Sequence, residues 1–209
     1  MMKRLLSLAI AGLVAVGMTG LAMAGIPDLD NSSASSPTGC IEISVDGSGT
    51  AIGAAGMTVT VTVLDGNGDP VVGYPFQDVW LGDTLGGTEI VLCNGGSTAN
   101  GNTNASGVTF ITGAVAGGGT TTTGMNVYLA GAPLNGVVLP ISASNPDLNG
   151  DLAVTTAGDL QPVPGGFANL YLNGVYDSED DFNCDGTENL LDVTRFAGQW
   201  AAVPPVACP

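Results

Sequence analysis

The chain has 209 residues, room for one mid-sized domain or two small ones. Lys plus Arg number 3 against 19 Asp plus Glu, with no His, for a net charge of −16. Without Lys3 and Arg4 the charge becomes −18 and Arg195 is the one cation left. Such a surface repels nucleic acid and anionic lipid, whose binding rests on Lys and Arg. The lack of His, and of Lys beyond residue 3, removes His-assisted nucleophiles, Schiff bases, P-loop phosphate binding and His-type zinc sites. Oxygen-ligand chemistry remains, and with it hard cations such as calcium.

Residues 1–24 read as a signal peptide. Lys3 and Arg4 precede an apolar run from Leu5 to Leu21, and Ala22-Met23-Ala24 has the small-x-small form that signal peptidase accepts. An uncleaved anchor is the alternative, but Gly12, Gly17 and Gly20 together with the cleavage pattern favour removal. Cleavage after Ala24 makes the protein secreted, extracellular or bound at the cell surface. In that oxidising setting the four cysteines, Cys40, Cys93, Cys184 and Cys208, are expected in disulfides.

Residues 25–39 are polar and turn-rich, and are expected to form a linker. Residues 40–144 follow a period of two. Ile41 to Asp46 alternates, and Met57 to Leu64 alternates Thr with Val, the pattern of a half-buried antiparallel strand. Further strands are expected at Asp78 to Leu81, Thr88 to Cys93, Val108 to Thr112, Met125 to Ala130 and Gly136 to Ser142. Seven short strands suit an immunoglobulin-like β-sandwich, so the fold class is mainly β. The loop at 94–107 and the Gly- and Thr-rich run from Gly117 to Gly124 are expected as flexible connectors. Asp65-Gly66-Asn67-Gly68-Asp69 imitates the start of a calcium loop, but Phe76 stands where its closing carboxylate belongs, so a hairpin turn is expected.

The segment Val59 to Gly73, with its Thr–apolar strand, its Asp65-Gly66-Asn67-Gly68-Asp69-Pro70 turn and then Val71-Val72-Gly73, resembles bacterial Ig-like domains of the invasin/intimin type. Thr103 to Phe110 resembles their later strand signature. The resemblance implies a structural module rather than an activity.

Composition shifts at Asn145, and ten of the 19 acids lie between Asp147 and Asp192. Asp181, Asn183 and Asp185 are alternate oxygen donors, Gly186 permits a sharp turn, Thr187 offers a carbonyl, Asn189 a further oxygen, and Asp192 closes with two. This is the donor order of a twelve-residue calcium loop. Val193 to Trp200 follows with helical spacing. A poorer copy starts at Asp147, Asn149 and Asp151, with Thr155 as ninth donor. There Gly158 holds the closing position, Asp159 comes one residue late, and Leu152 replaces the turn Gly. One calcium ion is therefore expected at the second loop, and a second ion at the first if Asp159 reaches it.

Two such loops, 34 residues apart and each followed by a short helix, resemble the dockerin type I module. Residues 145–209 would then form a small α-helical, duplicated F-hand module. In that family the tenth and eleventh loop residues help choose a cohesin partner; here they are Thr156 with Ala157, and Leu190 with Leu191. The division into 40–144 and 145–209 favours disulfides Cys40–Cys93 and Cys184–Cys208 among the three possible pairings. The functional expectation is a non-catalytic exported protein docking onto a cohesin-like partner in an extracellular or cell-surface assembly linked to polysaccharide catabolism. The alternatives are a carbohydrate-active enzyme, which needs two carboxylates, and a carbohydrate-binding accessory protein that stacks Trp80 or Tyr74 on sugar rings.

Overall fold

The computed structural model describes residues 25–84, 90–93, 97–161, 166–172, 176, 178–200 and 202. The expected signal peptide and Cys208 lie outside them. The described part is mainly β. Its strands are β1 (Ser33–Ser35), β2 (Gly39–Ser44), β3 (Val59–Thr62), β4 (Val79–Gly82), β5 (Ile90–Leu92), β6 (Val108–Ile111), β7 (Val115–Gly119), β8 (Asn126–Leu129), β9 (Ala132–Pro133) and β10 (Ile141–Ser144). Two helices follow, α1 (Phe167–Leu172) and α2 (Leu190–Gln199).

The strands form three sheets, in the orders β1-β3-β6, β10-β2-β7-β5 and β4-β8-β9. Period-two alternation decides which side chains face the shared core. In β3, Val59 and Val61 are buried while Thr60 and Thr62 are half-exposed. In β4, Val79 and Leu81 go inward and Trp80 outward; in β8, Val127 and Leu129 go inward and Tyr128 outward. One core cluster joins these valines and leucines to Ile41, Ile43, Met125 and Ile141.

The strand expected at Gly136 to Ser142 begins only at Ile141, as β10, and β9 was not expected. Two further stretches depart from the expected pattern. The segment expected as a linker contains β1, which pairs antiparallel with β3, Ser33 opposite Thr62. The glycine run expected as a connector is partly β7, which pairs with β2 and β5 and is buried along its whole length. Small side chains carry little apolar signal, yet they are what lets a strand be covered closely on both faces. The Asp65–Asp69 segment is the expected tight turn: the Asp65 carboxylate accepts from the Asn67 and Asp69 amides, and Leu64 bridges to Pro70.

The disulfide pairing is a correction. Cys40 is joined to Cys184, with 5.5 Å between their Cα atoms, and not to Cys93. Sheet order explains this. Cys93 continues β5 and donates its amide to Ala116 of β7, so β7 separates it from β2 by two strand spacings, about 9–10 Å. A disulfide needs Cα atoms within about 7 Å. Cys93 is itself disulfide-bonded, so Cys184–Cys208 also falls, because Cys184 is taken by Cys40.

Cys40 and Glu42 lie on the face of β2 opposite Ile41 and Ile43, and the C-terminal segment covers that face. Arg195 of α2 pairs with Glu42 at 3.4 Å, and Gln199 accepts from the Val45 amide at 3.1 Å. Arg195 follows the closing Asp192 of the second loop by three residues, yet its ion pair is with β2. A second apolar cluster sits at this junction, where Val45 meets Val154, Phe167, Phe182 and Phe196.

Candidate functional site

The two acidic loops share one backbone scaffold. In the second, the Asp181 carboxylate accepts from the amides of Asp185 at 3.0 Å and Gly186 at 2.7 Å. In the first, Asp147 accepts from Asp151 at 3.2 Å and Leu152 at 2.8 Å. Asn183 accepts from the Asp185 amide, as Asn149 does from Asp151. Asp185 accepts from Thr187 N–H, as Asp151 does from Ala153. The closing carboxylates behave alike: Asp192 accepts from Asn183 and Asn189 at 3.3 and 2.8 Å, and Asp159 from Asn149 and Thr155 at 3.3 and 2.7 Å. Asp159 therefore stands where Asp192 stands, although it is the thirteenth residue of its loop and Asp192 the twelfth of its own.

The extra residue is taken up in the backbone. Thr156–Leu160 forms a single π-helical turn, capped by the Thr155 hydroxyl, which accepts from Gly158 N–H at 2.9 Å. Such a turn houses one more residue than an α-turn, and this brings Asp159 back into line. In the second loop the same place holds the start of α2, where Asn189 and Asp192 form a reciprocal capping box.

Both loops bend through the left-handed region at their fourth and sixth residues. These are Gly150 and Leu152 in the first (φ 71° and 67°), and Cys184 and Gly186 in the second (φ 56° and 85°). Leu152 holds that conformation against a Cβ clash worth about 1–2 kcal/mol. Cys184 does so while tied to Cys40.

The closing and opening acids are buried: Asp147, Asp159, Asp181 and Asp192 have almost no accessible surface. Burial pushes the Asp147 carboxyl up to about 6, and neighbouring Asp159 and Asp151 add to the effect. Burial likewise raises Asp159 and Asp192. Exposed Asp185 goes the other way, lowered first by its hydrogen bond from the Thr187 hydroxyl. Among the described residues no three acidic, His or Cys side chains stand as a ready-made ion cluster. The carboxylates here spend their lone pairs on backbone N–H groups. The donor set itself is all oxygen, three acids with amide, hydroxyl and carbonyl groups per loop, which suits a hard cation such as calcium rather than a soft one.

Sequence reasoning missed contacts from two other segments. Tyr176 donates its hydroxyl to Asp181 at 3.1 Å. Gly118 of β7 has Asp147 packed directly on its Cα, and Gly119 N–H donates to the Asp147 carbonyl at 2.7 Å. Neither has a local sequence signal, because each contact joins segments far apart or outside the loop. The tenth and eleventh loop residues are solvent-facing: Leu190 is 72% and Leu191 57% exposed, and Thr156 and Ala157 are exposed as well. Of the two aromatics considered for sugar stacking, Tyr74 is buried in the core, whereas Trp80 faces outward.

No protein-family model matches the chain, and no curated protein matches it. Among solved structures, the Lin-41 filamin domain aligns with 56% of this chain and 95% of its own at 18% identity. Its TM-score is 0.29, too low to carry an argument. Among the described residues no helix is long and apolar enough to cross a membrane.

Proposed function

We propose that the protein is an exported, non-catalytic chain whose residues 145–209 form a dockerin-like module that binds calcium. The module follows an Ig-like sandwich at 40–144. It docks onto a cohesin-like partner in an extracellular or cell-surface assembly of the kind used in polysaccharide breakdown. The observation that carries this reading is the duplicated register described above. Two loops of different length present the same carboxylate and amide oxygens through the same backbone hydrogen bonds, and the exposed pairs Leu190-Leu191 and Thr156-Ala157 sit at matching places. When bound, calcium would supply the positive charge that the buried acids lack. Asp181, Asn183, Asp185, Thr187, Asn189 and Asp192 would hold one ion; Asp147, Asn149, Asp151, Thr155 and Asp159 would hold the other.

The test is calorimetric titration of the full chain with calcium. Two binding events are expected, the weaker by about tenfold because the first loop carries Leu152 at its strained turn. Asp192→Ala removes the tighter event, and Asp159→Ala touches only the weaker one. Heat that is identical in Asp192→Ala and in the parent would defeat the calcium reading. Docking is read on the same proteins over immobilised cohesin modules. Capture in calcium that survives paired Leu190→Asp and Leu191→Asp changes would remove those residues from the interface.

A further inference from the structure

The outer face of the β4-β8-β9 sheet carries a second site, unrelated to the acidic loops. Trp80 and Tyr128 are register partners on neighbouring strands, and Thr98 bridges to Trp80 from the other side. Partners opposite one another in a sheet share a face, so Thr98, Trp80 and Tyr128 form one row pointing away from the core. The two rings are nearly parallel, 10° apart in plane with centroids at 5.9 Å. Two constraints hold the Tyr128 ring. The Tyr128 hydroxyl donates to the Asp83 carbonyl at 3.2 Å. The ring also lies across Gly82, where an added Cβ would come within 2.6 Å of Tyr128 Cε2.

These rings form the wall of a cavity of about 700 Å³, to which Phe76 and Leu92 add apolar surface and Gln77 and Thr98 add neutral polar groups. Among the described residues its acidic lining residue is Asp83, which accepts from the Thr84 amide at 2.7 Å and the Ile90 amide at 3.4 Å. The volume lies within the range of small-molecule sites, roughly 300–1,000 Å³.

We infer that the Trp80–Tyr128 cavity binds a neutral saccharide. A pyranose has one face of C–H groups that packs on an aromatic plane, and an edge of hydroxyls that both donate and accept. Fixed, parallel aromatic faces beside an amide and a hydroxyl match both features. The chain's net charge of −16 disfavours anionic ligands. The committed Asp83 carboxylate argues for a neutral sugar over a cation held by the rings. The site is one of binding and involves no bond change. It does not depend on calcium.

The test uses full-length protein carrying Trp200→Phe, which leaves Trp80 as the sole tryptophan of the two in the chain. Neutral oligosaccharides of glucose, xylose, mannose and N-acetylglucosamine are titrated while Trp80 emission is recorded. A saturable blue shift with at least one of them is expected. Gly82→Ala, which displaces Tyr128 but keeps the reporter, weakens it about tenfold, the size of one aromatic contact. Trp80→Ala, at an outward position that leaves the core intact, abolishes the heat of binding in calorimetry. No saturable change with any sugar at millimolar concentration overturns the inference, as does an affinity unchanged in both variants. A response to tetramethylammonium in place of the sugars would overturn it by reassigning the cavity to cations.

Discussion

Gly118 has no room for a methyl group. Its Cα is where the buried carboxylate of Asp147 rests on β7, and a Cβ there would clash with Asp147 Oδ2. The neighbouring Gly117 is equally confined, its Cβ position lying 2.5 Å from the Val91 carbonyl. Gly118→Ala should therefore destabilise the protein by about 1–3 kcal/mol, the usual cost of overpacking, and should weaken the calcium event assigned to the first loop. Gly113→Ala is the matched control, since nothing lies within 4 Å of its Cβ position; it should be neutral within about 0.5 kcal/mol. Urea unfolding of both variants decides the point. Equal stability would mean that the first loop is not seated on β7 in solution.

The loops were the most legible elements in the sequence, and the sheet around them the least. Alternate Asp and Asn residues ending in a carboxylate form a local pattern, and twelve or thirteen consecutive residues contain it all. β3 was equally readable because Val and Thr alternate with burial, and β8 because buried Val127 and Leu129 flank the outward Tyr128. β1 and β7 were not. Ser33–Ser35 and Val115–Gly119 become strands through partners 25 or more residues away, and glycine shows no face to a periodicity argument. The π-turn at Thr156–Leu160 also escaped, since a one-residue insertion can be read either as a lost ligand or as a bulge until the backbone is seen. The buried acids of these loops give a pH prediction. Asp147 titrates near 6 in the folded chain against an ordinary 3.8, and Asp159 and Asp192 shift the same way. A carboxyl raised by folding keeps its proton longer in the folded than in the unfolded state. Calcium-free protein should thus lose stability as pH rises from about 4 to about 6, and level off above. A bound cation replaces those protons, so excess calcium should abolish or reverse the decline. Thermal melts across pH 4 to 7, with and without calcium, test this. A calcium-free melting temperature that climbs steadily with pH would contradict the burial argument.

At the scale of the whole molecule, the C-terminal acidic segment is fastened to the β-sheets and does not hang from them. Cys184 is the fourth residue of the second loop, and its bond to Cys40 closes a separation of 144 residues. The Arg195–Glu42 pair and the Gln199 contacts to Val45, Asp46 and Ser48 flank it on the same face of β2. By chain entropy a loop of that length stabilises the fold by up to about 5 kcal/mol. It also holds the backbone of the second acidic loop at its left-handed bend. With Cys40 and Cys184 joined, Cys208 is the one cysteine of four left for the bonded Cys93. Trypsin cannot map this, because between Cys40 and Cys208 the chain has one basic residue, Arg195. An Asp-directed protease separates all four cysteines, and non-reducing mass spectrometry should then find Cys40 linked to Cys184 and Cys93 linked to Cys208. A Cys40–Cys93 peptide would overturn the strand order of the central sheet, since β7 could not then lie between them. Where the mapping agrees, the Cys40→Ser, Cys184→Ser double variant should lose about 2–5 kcal/mol. It should also bind calcium more weakly at the second loop, whose bend is no longer held, while the first loop keeps its affinity.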